Sequence, residues 1–251
     1  MVKIERQGAP TLNKQGEIKN KRYPIGILNA NVLKIIALVA MTIDHIGAII
    51  FPGEETLRII GRLAFPIFAY MIAEGCFYSK HKSRYITEVL VIGLLCQIVY
   101  YITSKDMHLN ILLTFSVSIS IIFLIQKAQK TKNPALWVAV GVIIAAVFII
   151  HMIIPLYYRH FPVDFDYGFF GIMLPVGVYL MPGRILKLAM MAAGLIALGI
   201  VFPGVQMWGL LALIPLSLYS GKKGKLPMKH FFYIYYPVHM AVLWTIAGMI
   251  K

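Results

Sequence analysis

Nine strongly apolar runs follow one another along the chain, at about 32–52, 57–77, 86–104, 110–126, 134–155, 167–181, 186–202, 205–219 and 231–250. An α-helix rises about 1.5 Å per residue, so a run of about 20 apolar residues crosses roughly 30 Å of hydrocarbon. The pattern predicts an all-α integral membrane protein of about nine transmembrane helices, with eight to ten as the range. Runs 167–181 and 205–219 fall short of a full crossing and are expected to be tilted inward or re-entrant. The first two runs are separated only by Gly53 to Thr56 and are expected to form a tight antiparallel hairpin.

Composition agrees with this reading. Of 251 residues 59% are hydrophobic and 14% charged, and the mean hydropathy is +0.77, which excludes a soluble domain of this length. The net charge of +14 would suggest a nucleic-acid partner, but its distribution argues against one. Segments 1–30, 78–85, 126–133, 182–187 and 220–230 carry 18 Lys or Arg, whereas the alternate segments carry Lys105, Arg159 and Lys251. That alternation obeys the positive-inside rule for a chain whose N-terminus is cytoplasmic and whose C-terminus is outside. The basic segments also suit anionic lipid headgroups.

Residues 1–30 contain Pro10, Pro24 and three glycines and read as a flexible, basic cytoplasmic arm; residues 31–251 read as one polytopic membrane domain. No cleavable signal peptide is expected, since the first apolar run follows some 30 polar residues and is too long for one. Cys76 and Cys96 fall in or at the ends of apolar runs and indicate neither a disulfide framework nor a zinc site.

The ionisable residues within the apolar runs are few, and Lys34, Asp44, His45, Arg58, Arg62, Glu74 and His239 make up nearly the whole set, with His151 near the outer end of the fifth run. Charge in lipid costs at least about 2.5 kcal/mol per residue, so such residues pair or work. Reflection across the first hairpin puts Lys34 opposite Glu74 and Asp44 within a turn of Arg62. Lys34 and His45 are separated by about three helical turns, hence share one face roughly 16 Å apart along the axis. A cation at the cytoplasmic end and a base deeper on the same stripe suit an extended anionic donor such as acetyl-coenzyme A, although the spacing alone does not select it. Bland readings stand beside these: Lys34 and Arg58 as snorkelling cations, Glu74 as a plain ion-pair partner, and Phe231 to Tyr236 as an interfacial aromatic belt.

The motifs LKIIALVAMTIDHIGAIIFP (from Leu33), LRIIGRLAFPIFAYMIAEG (from Leu57), LNILLTF (Leu109 to Phe115), DYGFFG (Asp166 to Gly171) and FYIYYPVHMAVLW (from Phe232) resemble the TraX family, named for the F-pilin acetylase. That family lies within the wider transmembrane acyltransferases. The wider group carries an Arg, ten residues and a His in its first membrane helix; here Lys34 occupies the cation position and His45 the histidine. Lysine keeps the charge and loses the bidentate fork that grips phosphate.

The resemblance implies transfer of an acyl group, expected to be acetyl, from coenzyme A to an amine at a peptide N-terminus or to a hydroxyl of a glycan, in the cell (inner) membrane. His45 is the expected general base or acyl carrier, Asp44 its supporting acid, and His239 a second acid/base. Arg62, or a backbone amide freed by Pro66, is the expected oxyanion donor. Lys34, Arg58 and Glu74 are the candidate donor-binding residues, and no metal is indicated. Adjacent helical side chains diverge by about 100°, so Asp44 is at least as well suited to Arg62 as to His45. Two other classes remain open: a proton-coupled transporter with an Asp44, His45, Arg62 and Glu74 relay, and a scaffold whose charges are purely structural.

Overall fold

A computed structural model describes residues 26–104, 107–157, 164–225 and 229–250. The basic arm, except for its end, and Lys105, Arg159 and Lys251 of the charge count lie outside the described residues.

Local chemistry sets the helix boundaries. Helix α1 (Ala30–Ile49) starts where the Asn29 side chain accepts from the amides of Asn31 and Val32, at 3.0 and 3.1 Å. A short turn leads to α2 (Glu55–Gly61), which breaks at Arg62 and Leu63 before α3 (Ala64–Tyr78). Pro66 explains the break, because it has no N–H to donate to the Arg62 carbonyl. The amides of Arg62 and Leu63 stay bonded to carbonyls of α2, so Pro66 frees a carbonyl rather than the amide expected as an oxyanion donor. Helix α4 spans Lys82–Ser104, and α5 (Ile111–Thr131) is capped by Asn110. Helix α6 (Pro134–Phe148) opens on an Asn133 cap and Pro134, then passes through a π-helical turn, Ile149–Ile153, into α7 (Ile154–Tyr157). Helices α8 (Gly168–Leu180) and α9 (Gly183–Val201) are followed by a 3₁₀ segment, Val205–Ala212, that runs into α10 (Leu213–Ser217); α11 spans Lys229–Ile250.

Every apolar run of the sequence is helical, and the described residues contain no strand, only isolated bridges joining Leu28 to Tyr219 and Leu109 to Phe165. Six helices are long and apolar enough to cross a membrane when α2 is taken with α3 and α6 with α7. The other three apolar stretches, Gly168–Leu180, Val205–Ser217 and Ile234–Ile250, are shorter. This is a multi-pass membrane protein with six such helices among the described residues. Both runs suspected of not crossing are among the short ones. The run at 205–217 begins as 3₁₀ after Pro203 and after Gly204 at φ 104°, a turn that does not continue α9.

Helix α3 is central. Its Phe65, Ile67, Tyr70 and Met71 pack with Leu33 of α1, Phe115 of α5, Leu174 of α8 and Leu195 of α9. By contrast α6 buries only Val140 and Val147 and exposes Trp137, Val138 and Val142, as expected where hydrocarbon is the solvent. Helix α11 packs along α1 in the same direction: Phe232 lies by Lys34, Tyr235 by Thr42 and His239 by His45.

Candidate functional site

The seam between α1 and α11 collects the polar side chains of both helices. Thr42 and His45 lie about one turn apart on the α1 stripe that also carries Lys34. The Thr42 hydroxyl donates to the Leu38 carbonyl at 2.8 Å and accepts from the Tyr235 hydroxyl at 2.7 Å. One turn on, Nδ1 of His45 lies 2.8 Å from Nε2 of His239, and Nδ1 of His239 lies 2.9 Å from the Tyr235 carbonyl. The two imidazoles lie edge to edge and nearly coplanar, with centroids 5.1 Å apart and planes 20° from parallel, as an in-plane bond between ring nitrogens requires. Tyr235 stacks on a face of His239 at 5.1 Å, and Tyr236 makes edge contacts with both imidazoles. His239 is buried and His45 half-buried. Nε2 of His45 has no hydrogen-bond partner among the described residues, yet it is not one of the sealed, unsatisfied atoms.

Asp44 points elsewhere. Its Oδ2 accepts from Arg58 at 2.8 Å, its Oδ1 pairs with Nη2 of Arg62, and Arg58 also donates to the Asp44 carbonyl at 3.0 Å. Arg62 donates further to the Arg58 carbonyl at 3.2 Å, to Oε1 of Gln206 at 3.1 Å and to the Tyr167 hydroxyl at 3.4 Å. The brace therefore ties α1 and α2 to the start of α8 and to the 3₁₀ segment. Gly61 makes room for it: a β-carbon there would sit 2.2 Å from Cβ of Asp44.

This geometry redistributes the expected roles. Asp44 and Arg62 do meet, as the hairpin register required, but both oxygens of Asp44 are taken by arginines and neither serves His45. Arg62 is nearly saturated by protein acceptors, which suits a clamp better than an oxyanion donor. Arg58, expected on the donor side or snorkelling, is held by Asp44. Glu74 does not pair with Lys34: it faces α9, where Oε1 lies 2.5 Å from Nζ of Lys187. That Lys187 ammonium also lies over the rings of Tyr70 and Phe77. Lys34 keeps its place on the His45 stripe, its ammonium 5.9 Å from the Phe232 ring centre. The relay drawn for a transporter is thus divided among three partners: His45 on α11, Asp44 and Arg62 on the α2 brace, Glu74 on α9. Cys76 and Cys96 are free and buried. Among the described residues no three His, Cys, Asp or Glu side chains converge so as to hold a metal ion.

Sequence reasoning missed Thr42, Tyr235, Gln206, Tyr167 and Lys187. Tyr235 is legible in principle, four residues before His239 and hence on its face, although the aromatic run around it reads as an interfacial belt. Lys187 reads in the sequence only as a basic residue of a cytoplasmic segment. Tyr167 lies in the DYGFFG motif without a role read from it, and nothing local marks Gln206.

The sequence profile of the TraX protein family matches residues 29–247. A probable fimbrial assembly protein FimC (serogroup H1) of Dichelobacter nodosus is 26% identical over 237 residues, covering 84% of this chain and 92% of that one. An uncharacterised protein, RP591, of Rickettsia prowazekii (strain Madrid E) is 39% identical over 85 residues, covering 34% of this chain and 32% of the relative. Protein TraX of Escherichia coli is 31% identical over 96 residues, covering 37% and 38%. No solved structure matches the chain.

Proposed function

The chain belongs to the TraX family, and on that premise we propose that it is a membrane acyltransferase of the cytoplasmic (inner) membrane. It moves an acetyl group from coenzyme A to an acceptor amine or hydroxyl. The observation that carries this reading is the α1 stripe, on which Lys34 marks one end and His45 presents, about three turns away, an Nε2 with no partner among the described residues. Lys34 would hold the phosphates of the donor by charge, and the seam with α11 would take its arm toward His45.

In the reaction, Nε2 of His45 accepts the proton of the acceptor X–H as X attacks the thioester carbonyl. The tetrahedral adduct expels the coenzyme A thiolate, which takes the proton from the His45 imidazolium. The products are the acetylated acceptor and coenzyme A thiol, with His45 restored. The resemblance to a fimbrial assembly protein and to TraX favours a pilin or fimbrial subunit's N-terminal amine as acceptor, with a glycan hydroxyl as the other chemical option. The parallel packing of α11 on α1 and the distribution of basic residues favour a cytoplasmic N-terminus and an outer C-terminus.

Purified protein in nanodiscs with acetyl-coenzyme A and a pilin-derived N-terminal peptide tests the proposal, with mass spectrometry to follow the acetyl increment. His45→Ala is expected to abolish transfer while leaving expression and thermal stability intact. Undiminished transfer by that variant would remove His45 from the reaction.

A further inference from the structure

The hydrogen bonds around the two imidazoles determine where their protons sit. We infer that His239 is a positioning residue that holds His45 in its Nδ1–H tautomer and thereby makes Nε2 the reactive atom.

The argument starts at a backbone carbonyl. The oxygen of Tyr235 can only accept, so the Nδ1 that lies 2.9 Å from it must carry the proton of His239. A neutral imidazole has one N–H, which leaves Nε2 of His239 as a lone pair. That lone pair faces Nδ1 of His45 at 2.8 Å, so the His45 proton must be on Nδ1. Nε2 of His45 is then the basic nitrogen, and it is the one ring nitrogen of the pair without a partner among the described residues. The chain of bonds runs one way: His45 donates to His239, and His239 donates to the main chain of its own helix.

The arrangement does what an acid does for a catalytic histidine in water-facing enzymes, with a neutral group in place of a carboxylate. When Nε2 takes a proton, the imidazolium formed on His45 is already bonded to the lone pair of His239. In a membrane this choice has a physical reason, since a second ionised carboxylate would carry a permanent desolvation cost that a neutral imidazole avoids. Asp44 does not take the role, because its carboxylate is turned away from His45 to Arg58 and Arg62. The His239 ring is itself fixed, stacked against Tyr235, touched edge-on by Tyr236 and nearly coplanar with His45, so the acceptor it offers has one direction. His239 is therefore placed behind His45 and not against the reacting atoms, which separates it from the acid/base role the sequence suggested.

The kinetic part of this inference rests on the acyltransferase reading; the tautomer does not. In the full chain in nanodiscs, ¹⁵N-histidine NMR without any donor is expected to show His45 with a protonated Nδ1 and a pyridine-like Nε2. His239→Phe, which keeps a stacking ring and removes the acceptor, is expected to average the two tautomers of His45. It should lower kcat by roughly 10²- to 10⁴-fold with the donor KM unchanged. His239→Gln, whose amide oxygen can stand where Nε2 stood, is expected to restore the Nδ1–H tautomer and much of kcat. A wild-type His45 protonated at Nε2, or Phe and Gln variants equal in tautomer and rate, would overturn the inference. A fixed Nδ1–H tautomer in a protein that transfers no acyl group would support it while refuting the acyltransferase. Should His239→Phe fail to fold, the wild-type spectrum and the Gln variant decide the matter.

Discussion

Removing the carboxylate of Asp44 tests the brace most directly. Its two arginine partners differ in environment: the side chain of Arg62 is 5% exposed and that of Arg58 32%, against 15% for Asp44. A buried ion left without its partner costs about 3–5 kcal/mol, whereas a solvent-screened pair contributes about 1 kcal/mol or less. Asp44→Ala should therefore destabilise by about 3–5 kcal/mol, nearly all of it through stranding Arg62. Arg58→Met should cost about 1 kcal/mol or less. Arg62→Met should fall between, since it leaves Asp44 its pair with Arg58 but removes the contacts with Gln206 and Tyr167. The double variant Asp44→Ala/Arg62→Met no longer buries an unpaired charge and should recover about 1–3 kcal/mol relative to the sum of the singles. Equilibrium unfolding in mixed micelles, followed by circular dichroism, gives the four values of the cycle. If Arg58→Met costs as much as Arg62→Met, or the double variant equals the sum of the singles, the brace is not a desolvated pair and the reasoning fails.

Other consequences are as concrete. Gly61→Ala should destabilise the α1–α2 seam by about 1–3 kcal/mol, because the new β-carbon would meet Asp44 at 2.2 Å and force the helices apart; an unchanged Tm would contradict the close approach. A cysteine placed at Ile250 should react with a membrane-impermeant maleimide from the outer face of intact cells, and labelling only after permeabilisation would reverse the proposed orientation of α11. Outside the membrane helices, His108 lies 3.4 Å from Asp164 and 3.8 Å from Asp166, and those two carboxylates raise its pKa to about 10. The bond with His108 lowers that of Asp164 below the usual 3.8. The histidine's contribution is complete below its unfolded pKa of about 6.5 and is lost as pH rises through about 10; that of Asp164 is complete above about 4 and lost on acidification. Protection of the Leu109 amide, bonded to the Asp164 carbonyl, should therefore be greatest between about pH 4 and 6.5. His108→Gln should abolish the alkaline loss, and equal alkaline loss in that variant would refute the assignment.

What the sequence determined by itself was everything encoded in one helix or across one short turn. Apolar runs located every helix, since hydrocarbon requires nearly continuous apolar residues and internally satisfied backbone. The 3.6-residue period set Lys34 and His45 on one stripe and turned Asp44 away from its neighbour. The tight connection after α1 made the Asp44–Arg62 meeting readable, because a short loop leaves little freedom of register. The same reflection misplaced Glu74, for it considers only the adjacent helix, while α3 at the centre of the fold has neighbours on every side and turns Glu74 to Lys187 of α9.

Only the tertiary structure decided that α11 lies parallel to α1, which joins His45 to a histidine 194 residues away. No local pattern encodes such a contact. It follows from how all the intervening helices pack, and with it comes the direction of the hydrogen bonds that leaves Nε2 of His45 without a partner among the described residues.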